Sequence, residues 1–316
     1  MGVLASGKPG EDEKERSLSF DALFGPNTVY DYLEGVNEYP FDEDAEGESL
    51  RNAWWLARLS MLVYVEDETF VKERAGVPED RVYVLKFEGR LRGVMVRLEE
   101  SILVVFQGTK PKEIEDWMTD LSVVKKKWMS GGQAHSGFLK LAEALRPEVR
   151  KGLEELGGGN VGGDKEGDEG FQLWFGGHSL GGALAVLYGS MYEEKVAGVY
   201  TFGGPRVGNA KFAEGIAAMP LYRFVNDNDL IARLPTPPGY KHGGSLVVIR
   251  SDGALERDLK LGGQMKARWE GHLAHLREVF QKHWKEQDFS AIPSDYIVDH
   301  SPIRYVEFLK RYREGE

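Results

Sequence analysis

The chain has 316 residues, of which 41% are hydrophobic, enough to bury a substantial core. Its 51 acidic against 40 basic residues give a formal net charge of −11, which excludes the electrostatic footprint of a nucleic-acid binder and disfavours an anionic membrane surface. The absence of cysteine excludes disulfides, thiol nucleophiles, zinc-thiolate sites and Fe–S clusters, so covalent catalysis would fall to another side chain.

The N-terminal stretch from Gly7 to Arg16 is polar and aperiodic, and residues 1–17 are expected to form a flexible segment ahead of one domain over 18–316. Met1-Gly2 with Ser6 matches a myristoylation pattern, but it runs into Glu11-Asp12-Glu13, and so short a pattern assigns no acyl chain. No run approaches the roughly 20 apolar residues of a membrane span, and no secretory leader is legible. That favours the cytoplasm over export unless a leader has been removed. The acidic run Asp42-Glu43-Asp44 reads as solvated surface rather than a calcium site.

From Asn52 to Val65, the residues Trp54, Trp55, Leu59, Leu62 and Val63 recur at helical spacing and predict a packed helix. The pattern then changes to short β-rich runs at Val82–Phe87, Gly93–Leu98 and Ile102–Phe106, a β-meander entering a sheet. Further apolar runs at Phe171–Phe175, Val199–Phe202, Leu221–Val225 and Leu246–Ile249 alternate with helical stretches. Such alternation predicts a largely parallel sheet covered by helices on both faces. The glycine-rich, acidic stretch Gly157–Gly170 reads as a surface excursion, and Ser251–Phe289 as amphipathic helices packed on the body.

The most informative segment is FQLWFGGHSLGGALAVLYG, in which a strand ends, the chain turns through Gly177-His178-Ser179-Leu180-Gly181, and an Ala/Leu-rich helix begins. Glycines flanking such an elbow remove the Cβ atoms that would clash with strand and helix, and the helix N-terminus favours an oxyanion. A glycine-rich turn whose serine merely caps the helix is the bland alternative; the strand before it and the small Gly182, Ala183 and Ala185 after it favour Ser179 as a nucleophile.

A serine hydroxyl needs a base, and histidine is the usual one. His178 adjoins the serine but would point elsewhere, His135 precedes it, and His272, His275 and His283 lie in the charged helical stretch. Of the remaining His242 and His300, His300 is selected, because Asp299-His300-Ser301-Pro302 is a short polar loop before the helical pattern Ile303–Leu309. The orienting carboxylate is expected after the Leu221–Val225 strand. Asp229, set against Leu230-Ile231, is preferred there to Asp227, and to Asp299 beside the histidine. Leu180 N–H and Thr109, in the Gln107-Gly108-Thr109 turn after an early strand, are the candidate oxyanion donors. This reading needs no metal or organic cofactor.

Taken together, VVFQGTK, DWMTDL, HSGF, GGHSLGG, TFGGPRVGN, RFVNDNDLIARLP, GYKH and DHS resemble the class 3 lipases, over about Val104 to Tyr305. The resemblance implies an α/β-hydrolase fold with a helical insertion before the catalytic histidine. It also implies a Ser179–His300–Asp229 triad, Thr109 and Leu180 as oxyanion donors, and an acyl-enzyme route to ester hydrolysis. An ester or lipid is the implied substrate, met at a lipid–water interface. Gln107 stands where the family commonly has arginine, and Ala232 where proline or valine is usual. Residues 111–133, with Trp117, Leu121, Val123, Val124, Trp128 and Met129, correspond to the family's lid; a fixed helix there, or a cover formed from 251–289, is the alternative. A phospholipase, galactolipase or short-chain esterase on the same triad, and a catalytically silent scaffold of this fold, are the competing readings.

Overall fold

A computed structural model describes residues 27–109, 124–157, 170–227, 229–235, 237–257 and 298–313. Among them, strands β1 (Val82–Phe87), β2 (Arg90–Arg97) and β3 (Ser101–Phe106) form the meander. After the small hairpin β4 (Lys125–Lys127) and β5 (Gln133–His135) come β6 (Gln172–His178), β7 (Val196–Phe202), β8 (Leu221–Asn226), β9 (Ser245–Ile249) and β10 (Leu255–Arg257). The main sheet has eight strands in the order β1-β2-β3-β6-β7-β8-β9-β10. Pairing is parallel from β3 through β6, β7 and β8 to β9, and antiparallel at both edges.

Alternation along the strands builds two cores. Ile102, Val104 and Phe106 of β3, with Leu173 and Phe175 of β6, face helices α3 (Ser136–Gly157) and α4 (Leu180–Met191). Leu103, Val105 and Trp174 point the other way, against α1 (Leu50–Leu62) and α6 (Pro302–Lys310). All six residues of β3 are buried, as a strand covered on both faces requires. Short helices α2 (Glu68–Arg74) and α5 (Ala210–Gly215) are capped by Asp67 and Asn209, whose side chains accept the N–H groups of Phe70 and Phe212. The fully buried Arg58 of α1 reaches the carbonyls of Tyr32, Arg74 and Ala75 and lies over the Trp55 ring, tying the chain before α1 to the end of α2. Without a carboxylate among these contacts, burial lowers its guanidinium pKa to about 9.

The strands fall within one to three residues of the expected apolar runs, Leu98 and Phe171 dropping out of β2 and β6 while the other changes are extensions. One reading is corrected. Leu255–Arg257, expected within amphipathic helices, pairs antiparallel with β9 at the sheet edge, because Gly253 turns the chain back (φ 86°) and Asp252 accepts the Ala254 N–H. The rest of the 251–289 stretch, the expected insertion, the 1–17 segment and most of the glycine-rich excursion lie outside the described residues. Of the 111–133 stretch, the described part contains the β4–β5 hairpin rather than a helix.

Candidate active site

β6 ends at His178 and α4 begins at Leu180, which leaves Ser179 alone to reverse the chain. Its backbone stands at φ 57°, ψ −127°, a conformation costing a non-glycine residue about 1–3 kcal/mol. The turn is possible because its flanks carry no side chains: a Cβ on Gly181 would stand 2.2 Å from the Phe106 carbonyl oxygen, and one on Gly177 2.2 Å from the Gly181 carbonyl carbon. The Ser179 N–H is held by the Phe202 carbonyl at 3.0 Å. The hydroxyl is buried and has no hydrogen-bond partner among the described residues, and the same holds for Thr109 Oγ1.

β8 delivers the carboxylate. Asp229 follows Asn226-Asp227 and is fully buried, while Oδ1 accepts the N–H groups of Ile231 at 2.9 Å and Ala232 at 3.3 Å. His300 Nδ1 lies 3.0 Å and 2.9 Å from the two Asp229 oxygens. A carboxylate accepts only, so Nδ1 carries the proton and the lone pair of the neutral imidazole is on Nε2. Tyr305, one helical turn into α6, donates its hydroxyl to Oδ2 at 2.5 Å and accepts the Asn226 N–H at 3.0 Å. The buried carboxylate thus has several donors on its two oxygens, which offsets the cost of taking it out of water. Gly203, at φ 62°, makes room for the pair: a Cβ there would fall 2.3 Å from Asp229 Oδ2 and 2.8 Å from His300 Nδ1.

The other candidates sit elsewhere. The Asp227 carbonyl accepts from Arg233, and the Asp299 carbonyl from Asn226 Nδ2. His242 donates Nε2–H to the Ala232 carbonyl at 2.7 Å and lines a cavity with Val186, Ile216 and Arg223. Burial and the cations Arg223 and Arg206 hold its pKa well below the usual histidine value. His178, expected to point away, instead turns its ring back under His300, with centroids 4.5 Å apart. Gln107, where arginine is usual, anchors the turn before Thr109 by donating to the Val63 carbonyl at 2.8 Å and to Glu66 at 3.2 Å.

Sequence reasoning passed over Tyr305, Tyr64 and Gly203. Tyr305 reads as one more apolar position of α6, and its hydroxyl acquires meaning only when β8 and α6 meet. Tyr64, between two valines, carried one visible signal, a polar group inside an apolar run.

Residues 103–238 match the family described as Lipase (class 3). Among curated relatives, the chloroplastic phospholipase A1-Igamma1 of Arabidopsis thaliana is 32% identical over 173 residues, covering 43% of this chain and 32% of that protein. A lipase of Rhizopus niveus is 29% identical over 165 residues, covering 48% of this chain and 40% of its own. The chain therefore spans 32–40% of the length of these relatives. The solved structure of lipase II from Rhizopus niveus superposes with a TM-score of 0.50 at 22% identity, covering 63% of this chain and 80% of that one, a likeness of the α/β-hydrolase fold. No helix among the described residues is long and apolar enough to cross a membrane.

Proposed function

We propose that the chain is a carboxylic ester hydrolase, a lipase acting on acylglycerol esters through an acyl-enzyme. The observations that carry this reading are the buried Asp229–His300 bond and a buried serine on a strained elbow. His300 Nε2 takes the Ser179 proton as Oγ bonds to the ester carbonyl carbon. The carbonyl π pair moves onto oxygen, where the Leu180 N–H and Thr109 stabilise it. The ester C–O bond then breaks, the alcohol leaves with the proton held by His300, and an acyl-Ser179 ester remains. Water attacks that ester with His300 again as base; the free acid departs and Ser179 recovers its proton. Asp229 holds the imidazole in the required tautomer throughout and stabilises its charged form.

Fluorophosphonate labelling tests the reading without presuming a substrate. Expected is an adduct at Ser179 that disappears in folded Ser179→Ala and His300→Ala proteins; a folded wild-type protein left unlabelled, with and without detergent, would favour the scaffold reading instead. Thr109→Val, which keeps shape and loses the hydroxyl, is expected to slow labelling by about 10- to 100-fold, with Thr109→Ser closer to wild type.

The similarity to a protein named as a phospholipase A1 supports a second substrate class on the same machinery. Hydrolysis rates on emulsified triacylglycerol, on phosphatidylcholine vesicles and on a soluble short-chain ester separate the two, and rates confined to the soluble ester would reject both lipid readings.

A further inference from the structure

Tyr64 lies in the turn Val63–Val65 that closes α1, far in sequence from every residue of the proposed triad, and is buried. Its hydroxyl is 2.9 Å from His178 Nδ1. His178 Nε2 is 2.6 Å from the main-chain carbonyl oxygen of His300. A carbonyl only accepts, so Nε2 carries the proton, and in the neutral ring Nδ1 must accept from the Tyr64 O–H. Burial and the neighbouring His300 hold the His178 pKa well below the usual histidine value, consistent with a neutral ring. The Tyr64 oxygen in turn packs against the Gly108 backbone, so closely that a Cβ on Gly108 would stand 2.2 Å from it.

The bonds therefore run in one direction, Tyr64 O–H to His178 and His178 N–H to the His300 carbonyl, with the Tyr64 oxygen seated against Gly108. Each end meets a loop the mechanism needs, by close packing at Gly108, immediately before Thr109, and by a hydrogen bond at His300 itself. A histidine satisfied merely for core packing has no reason to join those two loops. Here the ring also packs, tilted by 36°, against the imidazole that must accept a proton.

We propose that Tyr64 and His178 are positioning residues, a hydrogen-bonded strut that fixes the oxyanion turn at Gly108–Thr109 relative to the backbone of His300. The inference rests on reading Ser179, His300 and Thr109 as catalytic. Displacing either loop by a fraction of an ångström lengthens the proton-transfer path or pulls a donor from the developing oxyanion, which lowers the rate of acylation rather than ground-state affinity.

The test compares Tyr64→Phe, His178→Gln and His178→Phe with wild type. It follows the fraction of protein labelled by a fluorophosphonate, the labelling rate constant, kcat and KM on p-nitrophenyl butyrate, and the melting temperature. Expected for Tyr64→Phe is full labelling stoichiometry with the rate constant and kcat reduced by about tenfold or more and KM little changed. His178→Gln, which keeps one donor and one acceptor, retains more activity than His178→Phe. Adding Thr109→Val to Tyr64→Phe costs less than the product of the single effects, since both act on the same donor. A merely structural role would lower the melting temperature and the labelled fraction while leaving the rate per labelled site at the wild-type value, and that result overturns the strut. Equal activities for the Gln and Phe variants at 178 would overturn it as well. Failure of the wild type to label at Ser179 would instead remove the catalytic reading, and the strut would fall with it.

Discussion

The Tyr305 hydroxyl stands 2.5 Å from Oδ2 of Asp229 and simultaneously accepts the Asn226 N–H. A helix that follows the histidine thus steadies the carboxylate that orients it. Burial and the adjacent carboxylate raise the Tyr305 pKa well above its ordinary value, so the phenol stays protonated and remains a donor. Tyr305→Phe leaves Asp229 its bonds from Ile231, Ala232 and His300, so the expected outcome is partial: kcat on a soluble ester falls by about three- to thirtyfold, with about 1–2 kcal/mol lost in stability. Steady-state kinetics beside urea denaturation check both numbers, and an unchanged kcat would reduce Tyr305 to a packing residue.

The strained backbone of Ser179 sets function against stability. Ser179→Gly relieves the positive φ, whereas Ser179→Ala keeps it. Both variants should be inactive, but the glycine variant should melt higher than the alanine variant by about 2 °C or more. Identical melting curves would mean that the elbow stores no strain.

Gly203 and Gly204 are neighbours with different consequences. Alanine at 203 drives a methyl group to 2.3 Å from Asp229 Oδ2 and requires φ 62°, while at 204 the nearest atom, Thr201 Cβ, lies 3.2 Å away. Gly203→Ala is expected to lose about 100-fold or more in kcat/KM through displacement of the Asp229–His300 pair. Gly204→Ala should stay within about tenfold of wild type, since its neighbour has only to yield by a few tenths of an ångström. Comparable losses at both positions would count against the specific clash.

His178 and His242 are both held well below the ordinary histidine pKa by burial, with added repulsion from His300 in one case and from Arg223 and Arg206 in the other. In the unfolded chain each returns to about 6.5, so between that value and the lower folded pKa the unfolded state binds more protons. Stability from this source is complete above about pH 6.5 and declines as pH falls below it, by about 1.4 kcal/mol per pH unit for each histidine. Denaturation between pH 7 and 5 should show that slope, and His242→Gln, which can still donate to the Ala232 carbonyl, should remove one proton from it. A slope unaltered by the substitution would mean that His242 titrates normally in the folded protein.

Local pattern alone determined much of this protein. Short apolar runs set the meander and the parallel strands to within a few residues, since a strand buried on both faces must be apolar throughout. The Gly177–Gly181 turn marked the elbow because a side chain on either flanking glycine would collide with backbone. The order of polar loops singled out Ser179, Asp229 and His300, and the structure brings the latter two into direct contact. Other features depended on where distant elements meet. The edge strand β10 emerged inside a stretch whose spacing reads as helical, because pairing with β9 outweighs local propensity. His178 was expected to face away from the site, but α6 places the His300 carbonyl within its reach. Tyr64 and Tyr305 looked like ordinary core aromatics until their hydroxyls found partners 114 and 76 residues away. Periodicity reports which face of an element is apolar; it carries no information on which buried polar atom will stand opposite another, because that distance is set only when the helices close over the sheet.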